Sequence, residues 1–205
     1  MTEAFPNAQA RRARQTELKR DLEFEDTLAG ERLRFRTTWG LFSPRRIDDG
    51  TRMLLERIQV NPADACLDLG CGYGPIGLTL ARKAPQGHCT LVDTNFLAVE
   101  YSRRNAELNS IHNVDCVTSN GFSQIRDRRF DLVTSNLPAK VGREMLQTYL
   151  LDAHEQMNPG GRIYVVTITG LRRFIEKGFK DVFGNYDKVK QGREYTVAAA
   201  VREPD

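Results

Sequence analysis

The chain has 205 residues, 40% hydrophobic and 28% charged, which is ordinary composition for one globular domain with a short extension. A mean hydropathy of -0.49, with no apolar run near the ~18 residues that cross a bilayer, argues against a membrane span. The opening MTEAFPNAQARRARQ lacks the apolar segment of a secretory signal, so Cys66, Cys71, Cys89 and Cys116 read as reduced thiols of a cytoplasmic protein. None of them forms a CxxC pair, which sets aside a disulfide scaffold and a zinc module.

Charge is unevenly placed. The 30 Lys/Arg and 27 Asp/Glu leave +3, and residues 1–46, with ten basic and seven acidic side chains, already carry all of it. Any preference for anions is therefore concentrated before the core. Arg11, Arg12, Arg14, Lys19 and Arg20 could contact phosphate, or could belong to a solvated, frayed amphipathic helix. Residues 1–32 are expected to form a basic extension and 33–205 a single domain.

After residue 50, apolar runs of strand length alternate with segments of helical period, the βαβ pattern. Ala65 to Leu69 reads as a strand, followed by a glycine-rich turn and a helix from about Pro75 to Arg82. His88 to Val92 is the next strand, and a helix with apolar positions at Phe96, Val99 and Ala106 runs to about Asn109. Val114 to Thr118 and Phe130 to Ser135 are the third and fourth strands. Met145, Leu146, Tyr149, Leu150 and Ala153 recur at helical spacing, and Asn158-Pro159-Gly160-Gly161 should stop that helix before a strand at Arg162 to Ile168. Phe174, Phe179 and Val182 stripe a last helix that Gly184 ends. Tyr186 to Val189 and Tyr195 to Val201 then flank Gln191-Gly192-Arg193 as a hairpin. The pattern predicts an α/β fold, an open and mostly parallel sheet wound on both faces, with its ligand crevice at the carboxyl edge of the strands.

The loop Asp68 to Gly77 carries the strongest chemical signal, because glycines at a strand-to-helix turn let the backbone approach a ligand. Gly72, Gly74 and Gly77 have the GxGxxG spacing of dinucleotide sites, and Asp93 ends the next strand where a ribose-binding acid belongs. An NAD enzyme is thus one reading. Asp68 favours another: a carboxylate here repels pyrophosphate but attracts the ammonium and sulfonium of S-adenosylmethionine, unless it only caps the turn. Asn120-Gly121, after the third strand, could read an adenine edge or be a surface turn.

Ser135-Asn136-Leu137-Pro138-Ala139 follows the fourth strand and should face the same crevice. An aromatic exocyclic amine is a poor nucleophile, and acceptors that bond its hydrogens and align it with a methyl group favour attack. The Asn136 side-chain oxygen and the Leu137 carbonyl could be those acceptors, with Pro138 stiffening the turn. Upstream, Trp39 and Phe42 could stack on a flipped base, or could pack the N-terminal segment on the sheet. His88, His112 and His154 share no metal-ligand spacing, so no metal is expected. Cys71 has no positioned base nearby in sequence and reads as a small lining residue.

The runs LDLGCGYGPIGLTLA, LVDTN, SNLPAKVGREML and NPGGRIYVV resemble the class I S-adenosylmethionine-dependent methyltransferases. More narrowly, together with FRTTWGLFSPRRIDDGTRMLL, they resemble the small-subunit ribosomal RNA guanine-N2 methyltransferases over about residues 33 to 201. That resemblance implies a Rossmann-like, doubly wound, seven-stranded, mostly parallel sheet with its last strand antiparallel. It implies S-adenosylmethionine as cofactor, held by Asp68, Gly70, Cys71, Gly72, Gly74, Asp93, Thr94, Asn95, Asn120 and Gly121, and acceptor contacts from Asn136, Leu137 and Pro138. The family's usual element is Asn-Pro-Pro followed by an aromatic or apolar residue. Here Leu137 replaces the first Pro, and Ala139 cannot stack, so Trp39 or Phe42 would supply the ring on the substrate side. Many members also carry a duplicated N-terminal domain, whereas only about 30 residues precede the resemblance here. The expected function is methylation of a guanine N2 in ribosomal RNA, with RNA or a ribosomal subunit as partner. The competing readings are a methyltransferase for a protein amide or small-molecule nitrogen, and a non-catalytic cofactor-binding module.

Overall fold

A computed structural model describes residues 7–138 and 142–204. A helix, α1 (Ala8–Leu18), leads into an antiparallel hairpin of β1 (Leu22–Leu28) and β2 (Glu31–Thr37). Then follow α2 (Asp49–Leu55), β3 (Ala65–Leu69), α3 (Pro75–Lys83), β4 (His88–Asp93), α4 (Phe96–Leu108), β5 (Val114–Thr118) and β6 (Phe130–Asn136). The chain closes with α5 (Arg143–Gln156), β7 (Met157–Ile168), α6 (Arg172–Phe183), β8 (Asp187–Gln191) and β9 (Tyr195–Val201).

Seven strands form one sheet in the order β5-β4-β3-β6-β7-β9-β8, parallel except at β9, which runs antiparallel to both neighbours. The predicted α/β sheet with an antiparallel last strand is the one observed. Side-chain alternation divides its core in two. Cys66, Leu91, Leu132, Val166 and Val197 pack with Leu54, Leu78 and Ala106 of α2, α3 and α4. Leu67, Val92, Val133, Val165 and Ala198 pack with Leu150 and Phe179 of α5 and α6. A strand buried on both faces is apolar on both, apart from polar groups such as Asp68, Thr134 and Ser135 near the carboxyl ends, which is why these runs read as continuous rather than alternating.

Two stretches depart from the sequence reading. β7 begins at Met157, which pairs with Phe130, and the register shifts between Phe130 and Leu132. The Asn158-Pro159-Gly160-Gly161 turn is therefore an irregularity within the strand and not a break before it. Residues 22–28, read as basic extension, form a strand whose hairpin straddles position 32. The outer edge of β2 is covered by α4: Arg36 N donates to Asn105 Oδ1 at 2.7 Å and Arg34 N to Asn109 Oδ1 at 2.9 Å. Their side-chain nitrogens donate back to the Arg36 and Arg34 carbonyls at 3.0 and 2.7 Å. Two helix amides thus replace a neighbouring strand and close an edge that would otherwise pair elsewhere.

Candidate active site

The chain runs from β3 through β4 to β5 on one side of the sheet and returns through β6 on the other, so the carboxyl ends of β3 and β6 meet at the topological switch point. Two hydroxyls fasten that seam: Thr134 Oγ1 donates to the Leu67 carbonyl at 2.9 Å and Ser135 Oγ to the Leu69 carbonyl at 2.7 Å. The glycine loop and the Asn136 loop are held side by side as a result.

The glycine loop is not a phosphate cradle. Gly70 N and Cys71 N both donate to the Val92 carbonyl, at 2.8 and 2.9 Å, and Gly74 N donates to the Cys71 carbonyl at 2.9 Å. Gly72 N donates to Asp93 Oδ2 at 3.0 Å and Gly77 N to Asp68 Oδ2 at 2.8 Å. Five amides are thereby used internally, so they are not offered to an anion. Gly74, at φ +96 with Ser102 Oγ 3.2 Å from any added Cβ, opens α3 in a conformation closed to other residues.

Asp68 is fully buried, its Oδ2 satisfied by Gly77, and its Oδ1 meets no donor among the described residues. Burial pushes its carboxyl up to about 7, against the pull of the Gly77 N–H and with a smaller push from Asp93. A buried, half-partnered carboxylate beside a loop whose glycine amides are already bonded within the chain suits a cationic, phosphate-free group. It suits the methionine end of S-adenosylmethionine and disfavours a dinucleotide. Asp93, half-exposed at the end of β4, is oriented by Gly72 N and by Asn95 N at 2.8 Å.

Other expected cofactor residues are placed differently. Cys71 turns its thiol inward to Ser102 Oγ at 3.5 Å, and burial raises that thiol well above its usual range, so only its backbone lines the loop. The Asn95 side-chain oxygen caps α4 through Leu97 N at 2.9 Å, leaving Thr94 and Asn95 exposed at the rim. Asn120 is exposed, and Gly121 lies against the Tyr149 ring, 2.8 Å from where a Cβ would stand.

Asn136 is the best-defined side chain of the site. Its Nδ2 donates to Asp48 Oδ2 at 3.0 Å and to Thr51 Oγ1 at 3.1 Å, so the amide is oriented and no donor among the described residues meets Oδ1. Asp48 also caps α2 through Gly50 N and Thr51 N and accepts from Tyr195 Oη at 3.0 Å. Burial, and then the Asp48 bond, push the Tyr195 phenol up to about 12, so it stays a donor. Leu137 is buried with its N–H on the Val166 carbonyl at 2.9 Å, a bond that a proline there could not make. Pro138 is exposed. Ala139 lies outside the described residues.

Trp39 and Phe42 are 55% and 68% exposed, so the alternative that they pack the N-terminal segment on the sheet is overturned; Leu41 and Ile47 do that. The segment between them and Asp48 is fixed by Tyr73 of the glycine loop, whose hydroxyl donates to the Ser43 and Arg46 carbonyls at 3.2 and 3.3 Å. Sequence reasoning did not assign Asp48, Thr51, Tyr73 or Tyr195 to the site. It read Phe96 as a helix-stripe position, yet that ring is 69% exposed at the first turn of α4, three residues after Asp93. Among the described residues no three potential ligands gather for a metal, and no helix is long and apolar enough to cross a membrane.

The strand order, the antiparallel β9 and an acid at the ends of both β3 and β4 define the class I methyltransferase fold. The sequence profile of the methyltransferase small domain family matches residues 32–199, and the chain belongs to that family, which uses S-adenosylmethionine. It is 31% identical over 170 residues to YbxB of Bacillus subtilis, an uncharacterised protein, covering 81% of this chain and 84% of that one. It is 33% identical over 172 residues to the ribosomal RNA small subunit methyltransferase C of Hamiltonella defensa, covering 82% of this chain and 50% of the relative. The Thermus thermophilus 16S rRNA N2 G1207 methyltransferase, solved with AdoMet and guanosine, superposes with a TM-score of 0.81 at 26% identity, over 89% of this chain and 51% of that one. This chain spans about half the length of those two methyltransferases.

Proposed function

We propose that the protein methylates the exocyclic N2 of a guanine in ribosomal RNA. The observation that carries this reading is the Asn136 amide: its nitrogen is tied to Asp48 and Thr51, which commits its oxygen to accept from a planar amine. The solved relative that holds guanosine supports the same acceptor.

S-adenosylmethionine, when bound, supplies an electrophilic methyl group whose bonding pair returns to sulfur as the amine nitrogen attacks. Asp68 and Asp93 would hold its cationic methionine end and its ribose, and the Phe96 ring would lie on its adenine. Asn136 Oδ1, with the Leu137 carbonyl, would bond the amine hydrogens and hold the nitrogen lone pair in line. No strong base is needed, because the amine becomes acidic as it acquires the methyl group and its proton passes to water.

The test is transfer of labelled methyl from S-adenosylmethionine into RNA and ribosomal subunits from cells lacking the protein. N2-methylguanosine in the digested RNA is the expected product. Label confined to protein or small molecules would overturn the acceptor and keep the methyl-transfer class. Cofactor binding with no transfer to any pool would favour a non-catalytic module.

A further inference from the structure

We infer that the groove between α1 and Trp39 is a docking surface for single-stranded RNA, where cations hold the backbone and Trp39 stacks on a base; this rests on the reading that RNA is the acceptor.

The charge ledger leads to that groove. Two arginines of the hairpin are answered by acids, Arg32 by Glu25 at 2.6 Å and Arg36 by Glu23, while Arg34 donates to the Leu108 carbonyl at 3.0 Å, and Arg52 of α2 meets Asp26. In α1 only Arg14 finds an acid, Glu17, at 2.7 Å, and among the described residues Arg11, Arg12 and Lys19 make no ion pair. Residues 8–19 hold four basic side chains against one acid, and the rest of 1–46 balances six against six, so the +3 of residues 1–46 resolves onto α1 and its C-cap Lys19. Those side chains, with Gln15 and Leu18, line an open groove closed on its far side by Trp39. The Lys19 ammonium lies 5.5 Å from the Trp39 ring centre.

Core packing does not account for α1. It buries none of its 11 residues, and a helix that short is marginal in water without a partner. Leu18 and Trp39 are both more than half exposed, in contact with the same groove. Cations interleaved with an exposed aromatic form the recognition surface of single-stranded nucleic acid, since every base has a face to stack and every phosphate a charge to neutralise. The groove is also joined to the site by covalent chain. From Trp39 it is three residues to Phe42, and then to Ser43 and Arg46, which Tyr73 fixes on the glycine loop, and to Asp48, which holds Asn136.

Trp39 is the chain's one tryptophan, so its emission reports this groove alone. The probe is a 12-nucleotide oligoadenylate, titrated at several salt concentrations into the full-length protein and the triple variant Arg11→Ala/Arg12→Ala/Lys19→Ala. Saturable quenching in the parent protein is expected, weakened about tenfold or more in the variant. The log affinity against log salt slope should fall by about 2, the counterions of three single-strand phosphates. Arg11→Lys/Arg12→Lys should keep most of the affinity. Equal affinity in the triple variant, or RNA binding by anisotropy with static Trp39 emission, would overturn the proposal. Equal quenching by an oligoglutamate of matched charge would overturn RNA as occupant in favour of an acidic protein. Because the assay reads binding without methyl transfer, failure to methylate RNA alongside the expected pattern would refute the guanine reading and leave the groove standing.

Discussion

The Asn136 amide nitrogen lies 3.0 Å from Asp48 Oδ2, and the same carboxylate holds Tyr195 and the first turn of α2. One acidic side chain thus couples the end of β6 to the start of α2 and of β9, and it decides which end of the amide is free to accept. Replacing Asp48 with Ala should lower kcat by about 10- to 100-fold, the usual cost of a reacting group displaced by about 1 Å, with cofactor affinity unchanged. Loss of the cap should remove about 1 kcal/mol of stability. Asp48→Asn, which keeps one acceptor oxygen, should recover part of the rate. Asn136→Ala should abolish most transfer and also leave cofactor binding intact. Equilibrium binding beside steady-state kinetics separates these effects, and equal loss of binding and rate would make the pair structural.

If Asp68 holds the cationic end of the cofactor, it should make cofactor binding and folding depend on pH in opposite ways. Its carboxyl titrates near 7 in the folded chain against about 3.8 when exposed, so the folded state holds the extra proton between those values. Stability contributed by that proton is full at acid pH and is lost as pH rises through 7, by up to about 4 kcal/mol. A cationic ligand needs the ionised form, so affinity for S-adenosylmethionine should rise with pH up to about 7 and then level. Asp68→Asn should raise the unfolding midpoint at pH 8, flatten its pH dependence and weaken the cofactor. Denaturation and calorimetric titration across pH 5.5 to 8.5, a range of about 3 units around that value, check all three effects. A pH-independent affinity would place Asp68 outside the cofactor site.

The sheet was legible because each central strand is apolar on both faces and each turn after it is punctuated by glycine, proline or asparagine. The hairpin of β1 and β2 was not, since its faces alternate Phe24, Leu33 and Phe35 with paired Glu and Arg that read as solvated charge. The two residues of its turn, Ala29 and Gly30, both with positive φ, were the available signal. Asn136 and Asp68 could be picked out as chemical groups on strand ends. Their partners could not: Asp48 lies 88 residues from Asn136, and which lone pair of an amide is left free depends on tertiary contacts. Phe96 shows the limit of periodicity, which finds an apolar stripe but does not say whether its first member, at a helix start, lands over the core or at the rim.

Phe96 carries a prediction of its own. With 69% of its surface exposed, the ring contributes little to folding, and Phe96→Ala should change stability by less than about 0.5 kcal/mol. If it stacks on the adenine, the same change should weaken S-adenosylmethionine by up to about tenfold, the worth of one aromatic pair. Phe96→Tyr should retain binding. Thermal unfolding without ligand, set beside calorimetric affinity, distinguishes the roles: a lower midpoint with unchanged affinity would return Phe96 to a packing role.

Gly77 tests whether the third glycine of the loop serves ligand or packing. A Cβ there would stand 2.4 Å from Leu91 Cγ and within 2.9 Å of both its methyls, and Leu91 is fully buried. Gly77→Ala should therefore cost about 1 to 3 kcal/mol through overpacking. It should also shift the N–H that Asp68 Oδ2 accepts, raising that carboxyl further and weakening the cofactor at neutral pH. Leu91→Ala alone should cost about 2 to 5 kcal/mol by leaving a cavity. Because the added methyl fills part of that space, the double variant should lose less than the sum of the two singles. Urea unfolding of the four proteins measures the coupling. Strict additivity would mean that α3 moves away from the sheet instead of pressing on Leu91, and that the small residue at 77 does not serve the seating of α3 on β4.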